Sequence, residues 1–394
     1  MEYEMCALPN SRILEIRFNG PFCWDLSAKS PPLERLSLIC DEIDSRFFEG
    51  LSNLSHLRSL DLNGATITDG PGFWEACKNL ESLSMHDVLF EGEFVPIPTD
   101  TVLARLHTLR VGFVREVRHS KVLAVVFHCP VLKSFLWGAR TITVEMMVKH
   151  PMQESSWPQF DISSIPEYPE DNECASLLER IGDCPGNITH LELGGVFGLR
   201  ASKALGPHFN SLVNLFVFMG AETGTSPACR DVLCSCPMLE ILNVRNISAK
   251  DIAEGGPWVC QRLRQLHICF RVKESEQDLQ PLIFERLSAL VSLERLDMSS
   301  NQGDDGGVLE FRLDYGLAQL ASLKELRMIR FSYILYDPEL TQQLGRDDIE
   351  WMTDNWKNLK GIYGCLNRDP EVEAQLLDLL EHRGILHGVD FEWL

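Results

Sequence analysis

Apolar residues recur along this chain in a fixed six-residue pattern: an apolar residue, two others, an apolar residue, one other, and a third apolar residue. The pattern occurs fourteen times, with 20 to 36 residues between successive starts. Self-similarity at a near-regular period indicates stacked structural repeats. The copies are Ile13-Ile16-Phe18, Leu33-Leu36-Leu38, Leu57-Leu60-Leu62, Leu80-Leu83-Met85, Leu106-Leu109-Val111, Leu132-Phe135-Trp137, Trp157-Phe160-Ile162, Ile188-Leu191-Leu193, Leu212-Leu215-Val217, Leu239-Leu242-Val244, Leu263-Leu266-Ile268, Leu293-Leu296-Met298, Leu323-Leu326-Met328 and Leu359-Ile362-Gly364.

Each copy predicts a short β-strand, and we number its positions from the first apolar residue. Strand side chains alternate between faces, so positions four and six share one face and are expected to enter a core. Segments between the copies show helical spacing of apolar residues, as in 172–184 and 276–290. A strand and a helix at this period predict an α/β leucine-rich-repeat solenoid, with parallel strands on a concave face and helices on a convex face.

The ends of the chain fall outside the repeat pattern. The predicted division is an N-terminal end piece at 1–12, a repeat domain at 13–367 and a C-terminal cap at 368–394. The cap is expected to contain a helix from Glu371 to Arg383, because open repeat ends need covering. Its apolar side is predicted to consist of Ala374, Leu377 and Leu380.

The ninth position of such repeats is typically Asn or Cys. Here Asn301 and Asn367 are the two positions that carry a typical residue, whereas Ala65, Val88 and Val114 are apolar. We therefore expect irregular or apolar turns after the strands.

A cysteine often stands just before the pattern, as at Cys77, Cys129, Cys184, Cys236 and Cys260. Cysteine is small and readily buried, and the proline that often follows it ends the preceding helix. With these residues the phrases HCPVLKSF, DCPGNITHLEL, SCPMLEIL and PWVCQRLRQLHI resemble the RNI-like, cysteine-containing repeats of fungal F-box/leucine-rich-repeat proteins.

The resemblance implies a non-enzymatic scaffold that binds protein partners, as the substrate-recognition part of ubiquitin-ligase adaptors does. In that family an F-box segment ahead of the repeats recruits the Skp1–cullin machinery, but here the first repeat begins at Ile13. We therefore expect Skp1–cullin as a partner only if an F-box is encoded upstream. The alternatives are a stand-alone adaptor without a role in ubiquitination and a regulator of a GTPase.

The charge balance narrows the class of partner. The chain has 36 Lys and Arg against 57 Asp and Glu, a net charge of -21. Such acidity disfavours binding to nucleic acid or to an anionic membrane. The first residues, MEYEMCALPN, do not resemble a signal peptide, so we interpret the 13 cysteines as reduced thiols of a cytoplasmic or nuclear protein.

Motifs for catalysis or cofactors give no prediction of a site. No phosphate-binding glycine loop and no GxSxG nucleophile turn occurs in the sequence. Cys229, Cys234 and Cys236 have a loose metal-like spacing without a matching CxxC pair, and the loop 301–307 lacks the acidic spacing of a calcium loop. We expect no enzyme activity, cofactor or metal.

Positions three and five of each strand are expected on the concave face, opposite the core. Their charged members are five basic and six acidic residues, which predicts a ligand face that is close to neutral. These residues are Glu15, Arg17, Arg35, Asp61, Arg110, Asp161, Glu192, Arg295, Asp297, Glu325 and Arg327.

Apolar residues are scarce on this face, and they concentrate at Phe216, Phe218 and Ile241. Polar residues of adjacent repeats are predicted to surround them. An aromatic centre with a polar and charged rim is typical of protein-binding hot spots. The predicted partner-binding residues are Phe216, Phe218, Ile241, His190, Glu192, Asn243, Arg245 and His267.

Overall fold

The strands of the repeat appear where the apolar pattern places them, with two changes of register described below. The structure is a computed structural model. It describes residues 12–17, 21–22, 32–43, 45–90, 102–112, 114–115, 125, 128–137, 171–182, 188–194, 197–218, 225–299, 307–332 and 341–387. Packing of the backbone divides the chain into two compact units, Met1–Gly194 and Gly195–Leu394, and each is an α/β leucine-rich-repeat solenoid.

The N-terminal unit is built on two parallel sheets. Its strands in chain order are β1 (Ile13–Arg17), β2 (Pro21–Phe22), β3 (Arg35–Ile39), β4 (Glu42–Ile43), β5 (Ser59–Asn63), β6 (Thr66–Ile67), β7 (Ser82–His86), β8 (Val88–Phe90), β9 (Thr108–Val111), β10 (Val114–Arg115), β11 (Ser134–Trp137) and β12 (His190–Gly194). The long sheet has the order β1-β3-β5-β7-β9-β11-β12 and the short sheet the order β2-β4-β6-β8-β10. The described helices are α1 (Ser45–Ser52), α2 (Gly70–Ala76) and α3 (Asp171–Gly182).

The short sheet accounts for the apolar ninth positions, the apolar part of the expectation of irregular or apolar turns. Ala65 directly precedes β6 and Val88 begins β8, and both are fully buried. Val114 likewise begins β10, which pairs with β8 in parallel. These apolar residues therefore belong to a second parallel ladder that follows directly after the first.

The C-terminal unit repeats the strand–helix arrangement. Its strands are β13 (Asn214–Phe218), β14 (Ile241–Ser248), β15 (Gln265–Val272), β16 (Arg295–Asp297), β17 (Gly307–Val308), β18 (Met328–Arg330) and β19 (Gly361–Tyr363). The parallel order is β13-β14-β15-β16-β18-β19, and β17 pairs antiparallel with β15. The described α-helices are α4 (Leu199–Leu205), α5 (Thr225–Ser235), α6 (Ala249–Glu254), α7 (Gln280–Ser288), α8 (Arg346–Asn355) and α9 (Pro370–His382).

The core lies between each long sheet and its helices. Positions four and six are buried in nearly every described repeat, as with Leu60 and Leu62, which are 0% exposed. In the N-terminal unit the helices add an aromatic cluster in which Phe48 and Phe73 pack edge to face at 5.5 Å. In the C-terminal unit Phe311 packs in the same way against Phe284 and Phe331. Such burial supplies the main stabilising free energy of the fold.

The repeat cysteines pack as expected. Cys77, Cys129, Cys236 and Cys260 are 0% exposed, and the ten described cysteines are free thiols. Burial raises the pKa of Cys236 to about 12, which keeps its thiol protonated and unreactive. Cys184 lies outside the described residues.

Two repeats differ in register from the predicted pattern. Leu36 pairs with Leu14, so the first repeat is shifted by two residues and Ile13 is 63% exposed. Near the C-terminus Leu296 pairs with Ile329, which makes the repeat Leu326-Ile329-Phe331. Glu325 and Arg327 are therefore not at positions three and five, where the sequence pattern had placed them.

A third predicted repeat has no strand between its expected neighbours. The copy Trp157-Phe160-Ile162 lies outside the described residues. Strand β11 pairs with β9 on one side and directly with β12 on the other, so no strand separates β11 from β12.

The predicted C-terminal helix is present as α9. Leu376 and Leu380 are its buried residues, whereas Ala374 is exposed and Leu377 is half-buried. Burial of Leu380 agrees with the predicted apolar side of this helix, and Leu376 is buried in place of Leu377. After α9, Leu386 bridges Gly361 in parallel and extends the edge of β19. Of the predicted N-terminal end piece, the structure describes one residue, Arg12.

Candidate functional site

Six side chains form one row across the sheet of the C-terminal unit. Strand pairing places the fifth position of each repeat next to the fifth position of the next. Position five lies on the face opposite the helices, which we call the open face, because positions four and six enter the core. We call this set the position-five row, and it consists of Phe216, Asn243, His267, Asp297, Arg330 and Tyr363.

The row changes from half-buried to buried along its length. Phe216 and Asn243 are half-buried, and the His267 side chain is 32% exposed. Asp297, at 5%, and Arg330, at 6% exposed, are buried. The first three strands therefore offer accessible side chains, while the later strands carry an enclosed polar network.

That network centres on the carboxylate of Asp297. Its Oδ2 lies 3.4 Å from Nη1 of Arg330 and 3.9 Å from Nδ1 of His267. Its Oδ1 accepts hydrogen bonds from the backbone N–H of Ser299 at 2.9 Å and from the Ser299 hydroxyl at 2.6 Å. A buried carboxylate needs such partners, because an uncompensated charge in the interior is costly.

Tyr363 closes the row at the end of the sheet. Its ring lies over Gly361, where an added Cβ would come within 2.5 Å of ring atoms. Burial raises the pKa of Tyr363, and the neighbouring charge of Arg330 opposes that rise. The glycine thus makes room for the aromatic ring on the open face.

Position three carries the predicted apolar partner of Phe216. Ile241 is half-buried on β14, and the residue directly opposite Phe216 on that strand is Asn243. Phe216 and Ile241 are diagonal neighbours on adjacent strands, a separation that aromatic and long side chains bridge. The backbone of Phe218 lies in β13, and its side chain is outside what the structure describes.

Arg245 lies at a bulge between β14 and β15. The pairing passes from Asn243 and His267 to Asn246 and Cys269, so β14 contains one extra residue. Asn246 is turned inward, where its Oδ1 accepts from the Thr225 hydroxyl at 3.4 Å. Bulges re-aim side chains, and here Arg245 is half-buried beside the open face.

His190 and Glu192 belong to the N-terminal unit, on β12. His190 is exposed, and its Nδ1 lies 2.9 Å from the hydroxyl of Thr189. Glu192 is half-buried; burial raises its pKa to about 7, and Arg110 opposes the rise. These two residues belong to the surface of the N-terminal unit.

Sequence reasoning named Asp61 and Arg110 on the concave face but missed His86, which joins them in a polar cluster on β5, β7 and β9. Burial lowers the pKa of His86, Asp61 counteracts this effect, and Arg110 adds to it. The His86 ring occupies the space over Gly112, because an added Cβ there would come within 2.5 Å of Nδ1. Asp61 also accepts from the Ser37 hydroxyl at 3.3 Å. The available signal was that His86 stands at position seven of its repeat, the position that Phe218 and Arg245 hold in theirs.

Sites for small ligands are limited in the described part of the chain. A cavity of about 10 Å³ in the C-terminal unit is lined in part by Cys269, Phe331 and Gln342. That volume holds about one water molecule. Within the described ranges no group of three His, Cys, Asp or Glu side chains is placed to hold a metal ion. The accessible chemistry is therefore that of a broad surface with apolar and polar side chains.

None of the helices described above has the length and apolar composition needed to cross a bilayer.

Comparisons with known proteins concern the fold. No family model and no curated protein sequence matches this chain. Among solved structures it is similar to an internalin (inlF) of Listeria monocytogenes, with 15% identity over 91% of this chain and 86% of that one and a TM-score of 0.43. It is also similar to the LRR protein LIC12759 of Leptospira interrogans, with 14% identity over 91% and 90% of the two chains and a TM-score of 0.36. A third similar structure, the complex of TLR13 with ssRNA13, has 13% identity over 90% of this chain and 52% of that one and a TM-score of 0.35. At these identities the likeness is one of fold alone, and the assignment to the leucine-rich-repeat fold rests on the registered strands of the two units.

Proposed function

We propose that this chain is a non-enzymatic protein-interaction scaffold that binds its partner on the open face of the C-terminal unit. The observation that carries the proposal is the placement of Phe216 and Ile241. They are half-buried, diagonal neighbours on the face opposite the helices, next to the polar side chains Asn243 and His267.

This composition fits a protein partner in energetic terms. Burying each apolar side chain fully contributes about 1.5–3 kcal/mol relative to leaving it exposed. Hot spots combine such anchors with a rim that satisfies hydrogen bonds. His190 and Glu192 are proposed as a second binding surface, on the N-terminal unit.

The finer proposal is that the scaffold is the substrate-recognition region of an F-box-type adaptor. The cysteine-containing repeats of the sequence support it, and it implies a cytoplasmic or nuclear location. The alternatives are an adaptor without a connection to ubiquitination and, with less support from the residues, a GTPase regulator. Co-purification of Skp1 and a cullin with the full-length gene product would support the F-box proposal. Their absence, with an upstream coding sequence that lacks an F-box, would favour the stand-alone adaptor.

The binding surface is tested by affinity purification and mass spectrometry. The test variant is Phe216→Ser with Ile241→Ser, and the matched control is Val291→Ser, which changes an apolar residue that is 50% exposed outside the strands. We expect specific partners to be depleted at least tenfold from the test variant and to remain with the control. Both variants should keep the melting temperature of the unmodified protein to within a few degrees. Undiminished partners, or a large loss of thermal stability in the test variant alone, would overturn the assignment.

A further inference from the structure

The corrected register near the C-terminus changes the charge of the open face. The sequence pattern had put Glu325 and Arg327 at positions three and five of that repeat. The structure puts Met328 and Arg330 there instead. An acidic residue is thereby removed from the face, and an apolar residue is added to it.

The strands of the C-terminal unit carry a net positive charge, partly on the open face and partly at position two, the residue directly before each strand. Across positions two to seven of the six parallel strands there are six basic and three acidic residues, a local charge of +3 in a chain of net charge -21. The basic residues are Arg245, Arg264, Arg295, Arg327, Arg330 and Lys360, and the acidic residues are Glu240, Glu294 and Asp297.

Two of the three carboxylates are neutralised within the unit. Glu294 lies 2.6 Å from Arg264 and 3.8 Å from Arg327. Asp297 is buried with Arg330 at 3.4 Å. These ion pairs cancel equal amounts of positive and negative charge, so the local charge of +3 is unchanged and is carried by the basic residues outside the pairs.

Arg295 keeps its charge available. It is half-buried at position three of β16, and no described carboxylate lies within ion-pair distance of its guanidinium. Arg295 and Ile241 are two strand spacings apart, a distance of about 10 Å. Three residues of an extended peptide span that distance. A cation and an apolar anchor therefore lie within reach of one short segment.

We propose that the open face of the C-terminal unit binds an acidic segment of a protein partner that also carries an apolar side chain. The apolar side chain contacts Phe216 and Ile241, and the carboxylates of the segment contact Arg295. The inference rests on the proposed function, since it names the chemistry of the partner at the same surface. A long nucleic acid is disfavoured because the chain as a whole carries strong negative charge, whereas a short acidic segment meets mainly the local field.

Selection from a random peptide library tests this charge preference directly. Phage displaying random 12-residue peptides are selected on the full chain, on Arg295→Glu and on the control Arg346→Glu. Arg346 lies at the start of α8, where its side chain is 74% exposed and pairs with Glu350. We expect peptides enriched on the unmodified chain to be net acidic with at least one large apolar residue. Arg295→Glu should abolish that acidic bias, and Arg346→Glu should retain it.

Binding of the most enriched peptide is then measured by fluorescence anisotropy. Arg295→Gln is expected to weaken binding by roughly five- to tenfold, and raising the salt from 50 to 500 mM should weaken it by a similar factor. Recovery of neutral or basic peptides, recovery of none above background, or an acidic bias that survives Arg295→Glu would overturn the inference. So would tighter binding of a single-stranded oligonucleotide than of the peptide at this face.

The two proposals fail in different ways. If a cellular partner is lost with Phe216→Ser and Ile241→Ser but retained with Arg295→Glu, the surface is correct and the acidic chemistry is wrong. If neither variant affects any partner, the proposed function fails.

Discussion

Removal of the Asp297 carboxylate is the perturbation for which the structure gives the clearest energetic expectation. The side chains of Arg330 and Asp297 are 7% and 8% exposed, and their charged atoms are 3.4 Å apart. In Asp297→Ala the buried guanidinium would lose its ion pair with Asp297. Breaking a buried ion pair on one side typically costs about 3–5 kcal/mol, and we expect a loss in that range.

The double variant Asp297→Leu with Arg330→Met separates charge from packing. Replacing both partners by apolar side chains avoids the uncompensated charge, so most of the loss should be recovered. The hydrogen bonds that Ser299 donates to Asp297 are still lost, which accounts for a remaining cost of about 1–2 kcal/mol. The double variant should therefore be more stable than Asp297→Ala by about 1–4 kcal/mol.

Urea unfolding followed by tryptophan fluorescence measures these differences. Trp258 and Trp356 are 4% and 1% exposed and lie in the same unit as the pair, so they report on its unfolding. A double variant that is no more stable than Asp297→Ala would refute the reasoning, because it would show that the uncompensated charge is not the cause of the loss.

Three further predictions concern stability and thiol reactivity. Burial raises the pKa of Glu192 from its ordinary value of 4.5 to about 7 in the folded state. The stability that protonated Glu192 contributes is therefore complete below pH 4.5 and is lost as the pH rises through 7. The free energy of unfolding of Glu192→Gln should therefore exceed that of the unmodified protein by about 1–3 kcal/mol at pH 8 and by almost nothing at pH 4.5. Equal stabilisation in thermal melts at both pH values would contradict this prediction. Gly364→Ala should lower the free energy of unfolding in urea by about 2 kcal/mol or more. The reason is that φ of Gly364 is +95° and that the new Cβ would lie 2.5 Å from a backbone carbonyl oxygen. Gly384→Ala, with φ at +70° and no atom within 4 Å of the added Cβ, is its control and should lose about 1 kcal/mol. Alkylation of the native protein, read by mass spectrometry, should modify the half-exposed Cys234 before the fully buried Cys236; the opposite order would refute the burial argument.

The sequence pattern predicted the fold well because every repeat buries residues at the same positions of its strand. Leu-x-x-Leu-x-Leu fixes which strand residues enter the core, and the structure buries such residues as Leu36 and Leu242. The helices over 172–184 and 276–290 follow from the same need to cover that face. The second segment begins with a 3-10 turn, Glu274–Leu279, before α7.

Register near the C-terminus was harder, because the stretch LKELRMIRF satisfies the pattern in two frames. The frame starting at Leu323 has an apolar residue at every required position, and so does the frame starting at Leu326. Spacing could have decided between them. Starts at Leu293, Leu326 and Leu359 are separated by 33 residues each, whereas a start at Leu323 gives unequal spacings of 30 and 36.

Only part of the candidate surface could be predicted from the sequence. Alternation placed Phe216 and Ile241 on the face opposite the core, and the structure leaves both half-buried there. Burial of Asp297 and Arg330 on that same face could not be read from the repeat, because positions on the open face are ordinarily solvated. The bulge that re-aims Arg245 likewise depends on how two neighbouring strands pair and not on either strand alone.

The direct pairing of β11 with β12 bears on how this chain tolerates changes in length. The repeats of these strands start at Leu132 and Ile188, 56 residues apart, whereas most neighbouring repeats start about 25 residues apart. Bringing two strands together across this longer stretch of chain costs only about 0.7 kcal/mol more in chain entropy, because the cost grows with the logarithm of length. An inserted fluorescent protein or affinity tag in 138–170 should therefore leave the strand ladder intact. The same tolerance would let related chains gain or lose whole segments here while keeping the number of stacked strands.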